Sequence, residues 1–386
     1  MTRYPSVSRG NEPASHDELR AVIEALAPLD KGSATDGERE AAEWIAARLA
    51  ELGCTVAIEP ETVRPDTWRN LIALAATAIL AALVDDIQNG PARAARRITT
   101  PERTTWNVTA ECGDPDGEHT VVLLAHHDAA RSGLVFDQAA QRKVYERWPQ
   151  LIERTDTAVP IWYPVLAAPA LIAAGAVTGR RGLTRAGTFL AAGSTASFAD
   201  IRSRGVVPGA NDNLSAVACL VALARRLRDE PADGVRVLLV SAGSEESFQE
   251  GIRAWGRRHF GSLPRERTSF LTIDMVGSPH LSLCEAEGPV WMEEYDEAMR
   301  DRVATAADRE GIPLRRRLRA RTSTDGVIPM RAGFPTALLI SVEPWKSPSN
   351  YHWPTDTPDR IDYSTNADAA LLAEAVVRSF ARDAGA

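Results

Sequence analysis

The chain has 386 residues, 44% hydrophobic and 25% charged, enough to bury a core in one large or two medium domains. A net charge of -8 argues against nucleic acid as a partner. Four cysteines, Cys54, Cys112, Cys219 and Cys284, lie far apart in sequence with no CxxC pair. That pattern points to buried free thiols rather than a disulfide framework or a thiolate zinc site.

Residues 1–20 are polar and charged and lack an apolar h-region. No signal peptide is expected, so the expected location is cytoplasmic. Ser15-His16-Asp17-Glu18 reads as a capping box that opens a helix to about residue 29. A second helix is expected over 37–52, with Ala41, Ile45, Ala46 and Leu49 on one face and Gly53 as its stop. Residues 54–59 then alternate as a strand does.

The pattern breaks after that. Residues 71–84 are apolar except for Thr77, and a basic, polar stretch follows. A strand pattern resumes over 106–110. The turn Gly113-Asp114-Pro115-Asp116-Gly117 joins it to the run 120–125. That run is apolar throughout after Thr120, as strands buried on both faces are. Residues 130–206 form a second break. They hold a charged helical stretch, an apolar run over 159–177, Gly179-Arg180-Arg181-Gly182, and a weaker apolar run over 186–198.

From Gly209 onward helices and strands alternate. Helices are expected over 214–227, 249–258, 292–307 and 366–381, and strands over 235–240, 270–275, 313–320 and 337–342. Such alternation predicts an α/β fold with a mixed, mostly parallel sheet sandwiched by helices. Sites in such sheets form at the carboxyl ends of strands.

Five short motifs fall at those ends or in loops: Ala125-His126-His127-Asp128, Gly209-Ala210-Asn211-Asp212-Asn213, Ser244-Glu245-Glu246, Ile273-Asp274-Met275-Val276-Gly277, and Tyr351-His352-Trp353-Pro354-Thr355-Asp356. Two residues apart on an extended strand, His126 and Asp128 share a side, and His127 points away. A carboxylate beside an imidazole can take its other ring N–H and fix the tautomer. Asp212 follows a glycine-containing turn before a helix. It reads either as an N-cap or as a carboxylate that bridges two metals. Adjacent Glu245 and Glu246 after a buried strand repel and desolvate badly. A metal resolves that conflict for one, and the other can serve as general base. Asp274 in an apolar strand needs a partner, for which a cation is the natural choice. Each motif alone has an ordinary reading as a surface pair, a cap, a helix start or a salt bridge. Their joint occurrence is the inventory of a two-metal hydrolase.

In this order the motifs resemble those of the zinc aminopeptidase family with a co-catalytic dinuclear metal site. That family also includes glutaminyl cyclase and the glutamate carboxypeptidase and transferrin receptor relatives. The resemblance covers about 15–60, 105–129 and 207–380. It leaves apolar helical insertions at about 62–104 and 130–206 in a single zinc-peptidase domain. It implies that His126 and Asp274 hold one zinc, that Glu246 and His352 hold the other, and that Asp212 bridges them. Glu245 becomes the general base and acid, and Asp128 orients His126. The implied reaction is attack by a metal-bridging hydroxide on a peptide carbonyl, with an aminopeptidase as the leading expectation. A carboxypeptidase, another amide hydrolase, a glutaminyl-cyclase-like enzyme and a non-catalytic receptor or scaffold are the alternatives. The N/O ligand set also suits manganese or cobalt. Three departures bear on substrate contacts rather than on metal ligands. His127 stands where the family often has tyrosine, Phe248 where it usually has glycine, and Thr324-Asp325-Gly326 replaces its Ser-Asp-His element.

As a helix, the run 71–84 would span about 21 Å, short of the roughly 30 Å hydrocarbon core. The strands on either side of it should also share one sheet, which a single crossing would prevent. Pro160, Pro164 and Pro169 interrupt the run 159–177. The apolar runs are therefore expected to pack on each other near the site. The alternative is peripheral membrane contact or a homodimer through 71–84 and 158–198, to which Arg180, Arg181 and Arg185 lend support. Arg315, Arg317, Arg319 and Arg321 alternate at strand period. They read as a charged edge strand that blocks aggregation, or as a positive wall for acidic substrates.

Overall fold

Apolar strands with both faces buried organise the molecule. The computed structural model describes residues 14–65, 102–157, 163–178, 180–288 and 292–384. Among these, one sheet contains β1 (Thr55–Val63), β2 (Arg103–Gly113), β3 (His119–His126), β4 (Val235–Ala242), β5 (Thr268–Asp274), β6 (His280–Glu287), β7 (Glu293–Glu294), β8 (Arg315–Ala320) and β9 (Thr336–Val342). The order is β1-β2-β4-β3-β5-β9-β6-β7, with β8 also on β6. The central strands β4, β3, β5 and β9 run parallel, and β1, β2 and β6 join antiparallel at the flanks. Burial explains the apolar run of β3. Val121, Leu123 and Ala125 enter the larger core, and Val122 and Leu124 enter a smaller one on the opposite face.

Helices α1 (His16–Leu26), α2 (Asp36–Glu51), α7 (Ser215–Asp229), α9 (Glu297–Glu310) and α11 (Tyr363–Ala384) supply the larger core. The smaller core holds Ile252 and Trp255 of α8 (Glu250–His259), and Ile328 of α10 (Val327–Arg331). Ser15 caps α1 by accepting the Glu18 N–H at 3.2 Å. Glu18 itself does not complete the expected box, because its carboxylate pairs with Arg225 of α7.

Strands β1 and β2 pair as far as Val63↔Arg103, so the segment between them leaves and re-enters the sheet at one point. The run 71–84 lies outside the described residues. The segment 130–206 is likewise gathered at its base, by an isolated bridge between Arg131 and Val206. It contains α3 (Ala139–Arg147), α4 (Pro149–Glu153), α5 (Tyr163–Thr178) and α6 (Arg181–Ser203). Helices α5 and α6 form a hairpin and pack on each other. A Cβ at Gly187 would meet the Ala168 carbonyl at 2.7 Å, so only glycine permits this approach. No helix among the described residues is long and apolar enough to cross a membrane.

Some local expectations fail for local reasons. The helix expected from 292 starts at 297, because Asp296 caps it through the Met299 N–H, and Glu293 and Glu294 pair with β6 instead. Strand β6 was not anticipated. The arginine alternation is broken at Arg317, whose φ of 71° accompanies register shifts against β6. Arg319 pairs with Glu294 and Arg321 lies over the Tyr163 ring, so no continuous positive wall forms. Cys219 and Cys284 are buried free thiols as expected. Cys54 and Cys112 are only half-buried, and the β1–β2 register brings their sulfurs to 2.7 Å.

Candidate metal centre

The last residue of β3 carries the first imidazole into a cleft at the strands' carboxyl ends. His126 and Asp128 do share one side, with Asp128 Oδ1 3.4 Å from His126 Nδ1. His127 turns the other way, its Nδ1 2.9 Å from Ser241 Oγ. Asp212 sits in a loop that starts at Gly209, whose φ is 67° and where a Cβ would come within 2.6 Å of the Asp212 carbonyl oxygen, which excludes a side chain. Asp356 holds this loop, accepting the Asn211 N–H at 2.7 Å on one oxygen and the Asp212 N–H at 3.1 Å on the other. Asn213 ties the loop to β5, donating to the Ile273 carbonyl and accepting the Met275 N–H.

The two carboxylate oxygens of Asp212 face two different imidazoles. Oδ1 lies 3.3 Å from His126 Nε2, and Oδ2 lies 3.2 Å from His352 Nε2. Glu246 Oε2 is 3.3 Å from the same His352 nitrogen. Asp274 Oδ1 is 3.9 Å from His126 Nε2. Two donor groups therefore meet at one shared carboxylate. Glu245 stands beside them, with Oε1 accepting from Gln249 Nε2 at 2.9 Å. Left-handed backbone recurs around the cleft at Ser244, Phe248, Gln249, Met275 and His352. Such conformations are held only where surrounding contacts fix them.

The donors fit metal ions. Ligand atoms of His126, Asp212 and Glu246 lie within 4.8 Å of one another. Glu246 Oε1, Asp274 Oδ1 and His352 Nδ1 are buried without a hydrogen-bond partner among the described residues. Burial and neighbouring carboxylates push the Glu245, Glu246 and Asp274 carboxyls up. Burial opposes protonation of His352, yet Glu246 and Asp212 push it up to about 10. A surplus of negative charge closed off from water calls for cations, and nitrogen and oxygen donors without sulfur suit zinc.

Residues 197–377 match the profile of peptidase family M28. That match covers 181 of the 386 residues. Solved structures share the architecture at low identity. A glutaminyl cyclase from Tannerella forsythia matches with a TM-score of 0.60 and 16% identity over 95% of this chain and 99% of its own. A leucine aminopeptidase precursor from Bacteroides thetaiotaomicron matches with a TM-score of 0.59 and 14% identity over 96% and 99%. A zinc aminopeptidase from Bacillus subtilis matches with a TM-score of 0.56 and 14% identity over 96% of each chain. No curated protein matches the sequence. The family match and these neighbours together support a metallopeptidase. The M28 match spans Asp212, Glu245, Glu246, Asp274 and His352, while His126 and Asp128 precede it.

The site is also supported by residues that the motifs did not reveal. Lys31 is fully buried and donates to the Pro208 carbonyl at 2.6 Å, next to the Gly209 loop. Burial brings its amine down to about 8, against the pull of Asp356 and Asp30. Glu38 of α2 is fully buried and accepts from the Ala34 N–H, the Thr105 hydroxyl and the Ser244 N–H. Its signal was present in Thr35-Asp36-Gly37-Glu38, a capping pattern whose glutamate reaches the turn before Glu245. Asp325 belongs to the Thr324-Asp325-Gly326 departure. It is buried with both oxygens unpartnered among the described residues, and burial pushes it up to about 7.

Proposed function

We propose that the chain is a dizinc aminopeptidase. The observation that carries this reading is the placement of Asp212 between His126 and His352, one oxygen toward each. His126 and Asp274 would hold one ion, Glu246 and His352 the other, and Asp212 both. The donors would also accept manganese or cobalt. Ions held there would supply Lewis acidity toward an amide carbonyl and lower the pKa of a water toward neutrality. Glu245 accepts the proton of the attacking water and returns it to the departing amine nitrogen. Gln249 fixes one Glu245 oxygen, and the Asp128 carboxylate fixes the Glu245 N–H.

A carboxyl left over after metal ligation favours a substrate that brings a positive charge. Asp325 is a buried carboxyl near Glu245 and Asp274 that the proposed metal ligation leaves unused. A free α-ammonium group matches that field, which supports aminopeptidase over carboxypeptidase action. Next to the site lies a cavity of about 80 Å³ with Phe136, Met275, Leu318, Ile340 and Tyr351 in its wall. It suits an apolar first side chain. The substrate is a peptide, and the segments 62–104 and 130–206 are read as additions around a single catalytic domain.

The test is a pair of substrates that differ only at the amine. Free aminoacyl anilides should be hydrolysed, and their N-acetylated forms at least about 100-fold more slowly. Equal rates would contradict the aminopeptidase reading and favour another amide hydrolase on the same residues.

A further inference from the structure

From residue 157 to 199 the sequence has no acid, and its charges are Arg180, Arg181 and Arg185, in a chain whose net charge is -8. This stretch builds the α5–α6 hairpin. The inner face of α6 is occupied, with Gly187, Ala191, Ser194 and Phe198 buried. Its outer face places Arg181, Arg185, Phe189, Ala192 and Ala196 on one exposed stripe at helical spacing. Phe189 is 78% exposed. The outward positions Pro169, Ala170 and Ala174 of α5 are also uncharged. Val135 and Phe189 border an apolar cavity of about 220 Å³ whose wall includes Phe136. The hairpin thus has an apolar flank and an arginine-bearing turn.

We propose that the α5–α6 hairpin docks on an anionic lipid bilayer surface. Phe189 and the outer face of α6 enter the headgroup–acyl boundary, and Arg180, Arg181 and Arg185 meet lipid phosphates. A basic end beside an apolar face is the composition of an element that lies on a membrane. The described helices are too short or too polar to cross one. A second copy of the chain is the poorer occupant. Its matching face carries the same arginines and no acid between 157 and 199 to meet them.

Docking would also set the position of the metal centre. Phe198 and Ile201, at the end of α6, cluster with Phe136 and pack against Tyr351 and Trp353. Phe136 meets the His352 ring edge-on at 4.5 Å. The hairpin that meets the lipid is therefore packed on the loop that carries His352.

Sedimentation of the full chain with phosphatidylcholine vesicles, with and without phosphatidylglycerol, tests the proposal. The protein should pellet with the anionic vesicles. Phe189→Asp should lower partitioning at least about tenfold. The Arg181→Glu/Arg185→Glu pair should lower it at least about tenfold on anionic vesicles and little on neutral ones. Each variant should keep its thermal transition and its hydrolysis of soluble substrates. Wild-type protein that stays in the supernatant with anionic vesicles would overturn the proposal. So would variants that pellet as wild type does. A wild-type dimer that ignores vesicles and becomes monomeric in Phe189→Asp would overturn it in favour of a second copy. The readout is binding, so failure here leaves the peptidase reading untouched.

Discussion

Asp128 Oδ1 accepts the main-chain N–H of Glu245 at 2.9 Å, and its Oδ2 accepts that of Glu246 at 3.2 Å. This carboxylate thus anchors both glutamates that follow β4 and lies 3.4 Å from His126 Nδ1, which also meets the Asp128 main-chain carbonyl at 3.3 Å. Burial pushes the Asp128 carboxyl up, but hydrogen bonds from His126, Ser33 and the Glu245 N–H outweigh it and hold it below the usual carboxylate range. Asp128→Ala should therefore damage both parts of the site. Activity should fall about 100-fold or more, with weaker zinc retention. Steady-state kinetics and metal analysis of the same sample check this, and wild-type kcat/KM would refute it.

Asp356 supports Asp212 in a comparable way, through two N–H groups of the Gly209 loop. Asp356→Ala leaves both donors unsatisfied in a buried place. Metal affinity should drop by about 10- to 100-fold, as for lost partners of ligands in other metal sites. Competition with a chromogenic chelator measures it. Unchanged affinity would show that the loop holds its shape without Asp356.

Glu38→Ala should cost about 2 kcal/mol or more of stability, because three donors lose a buried acceptor. The loss should also appear in catalysis, since the Ser244 N–H that Glu38 holds immediately precedes Glu245. Denaturant melts and kcat, measured together, separate this from a purely structural effect.

Glu287 is fully buried and accepts from the Thr324 N–H and hydroxyl. Burial pushes its carboxyl from 4.5 up to about 7. A carboxyl whose pKa rises on folding favours the folded state while protonated. That contribution is complete below about pH 4.5 and is lost as pH rises through 7. Glu287→Gln removes this dependence. The variant should gain thermal stability relative to wild type between pH 5 and pH 8, by the order of a few kcal/mol. A stability difference that stays constant across that range would count against it.

The residues that meet at the cleft were legible because each occupies a strand end or a turn, where an ionisable side chain among apolar neighbours stands out. His126, Asp274 and Glu246 are read from β3, β5 and β4 alone. The residues that hold them were not legible in the same way. Glu38 lies 206 positions from Ser244, and Lys31 lies 177 positions from Pro208, so only the closed fold brings each pair together. Asp356 stood in view after His352, but its two N–H partners come from the Gly209 loop. The fold behaved likewise. The apolar centre of the sheet was readable, whereas β6 and the late start of α9 depend on strand pairing and on the Asp296 cap. The arginine period of β8 was real in sequence, but the left-handed Arg317 broke it in space.

Zinc content tests the central claim most directly. Chelator-stripped protein titrated with zinc and desalted should bind two equivalents, and Glu245→Gln should still bind two while losing hydrolysis. One equivalent or none in the folded wild type would contradict a centre built on Asp212 between His126 and His352.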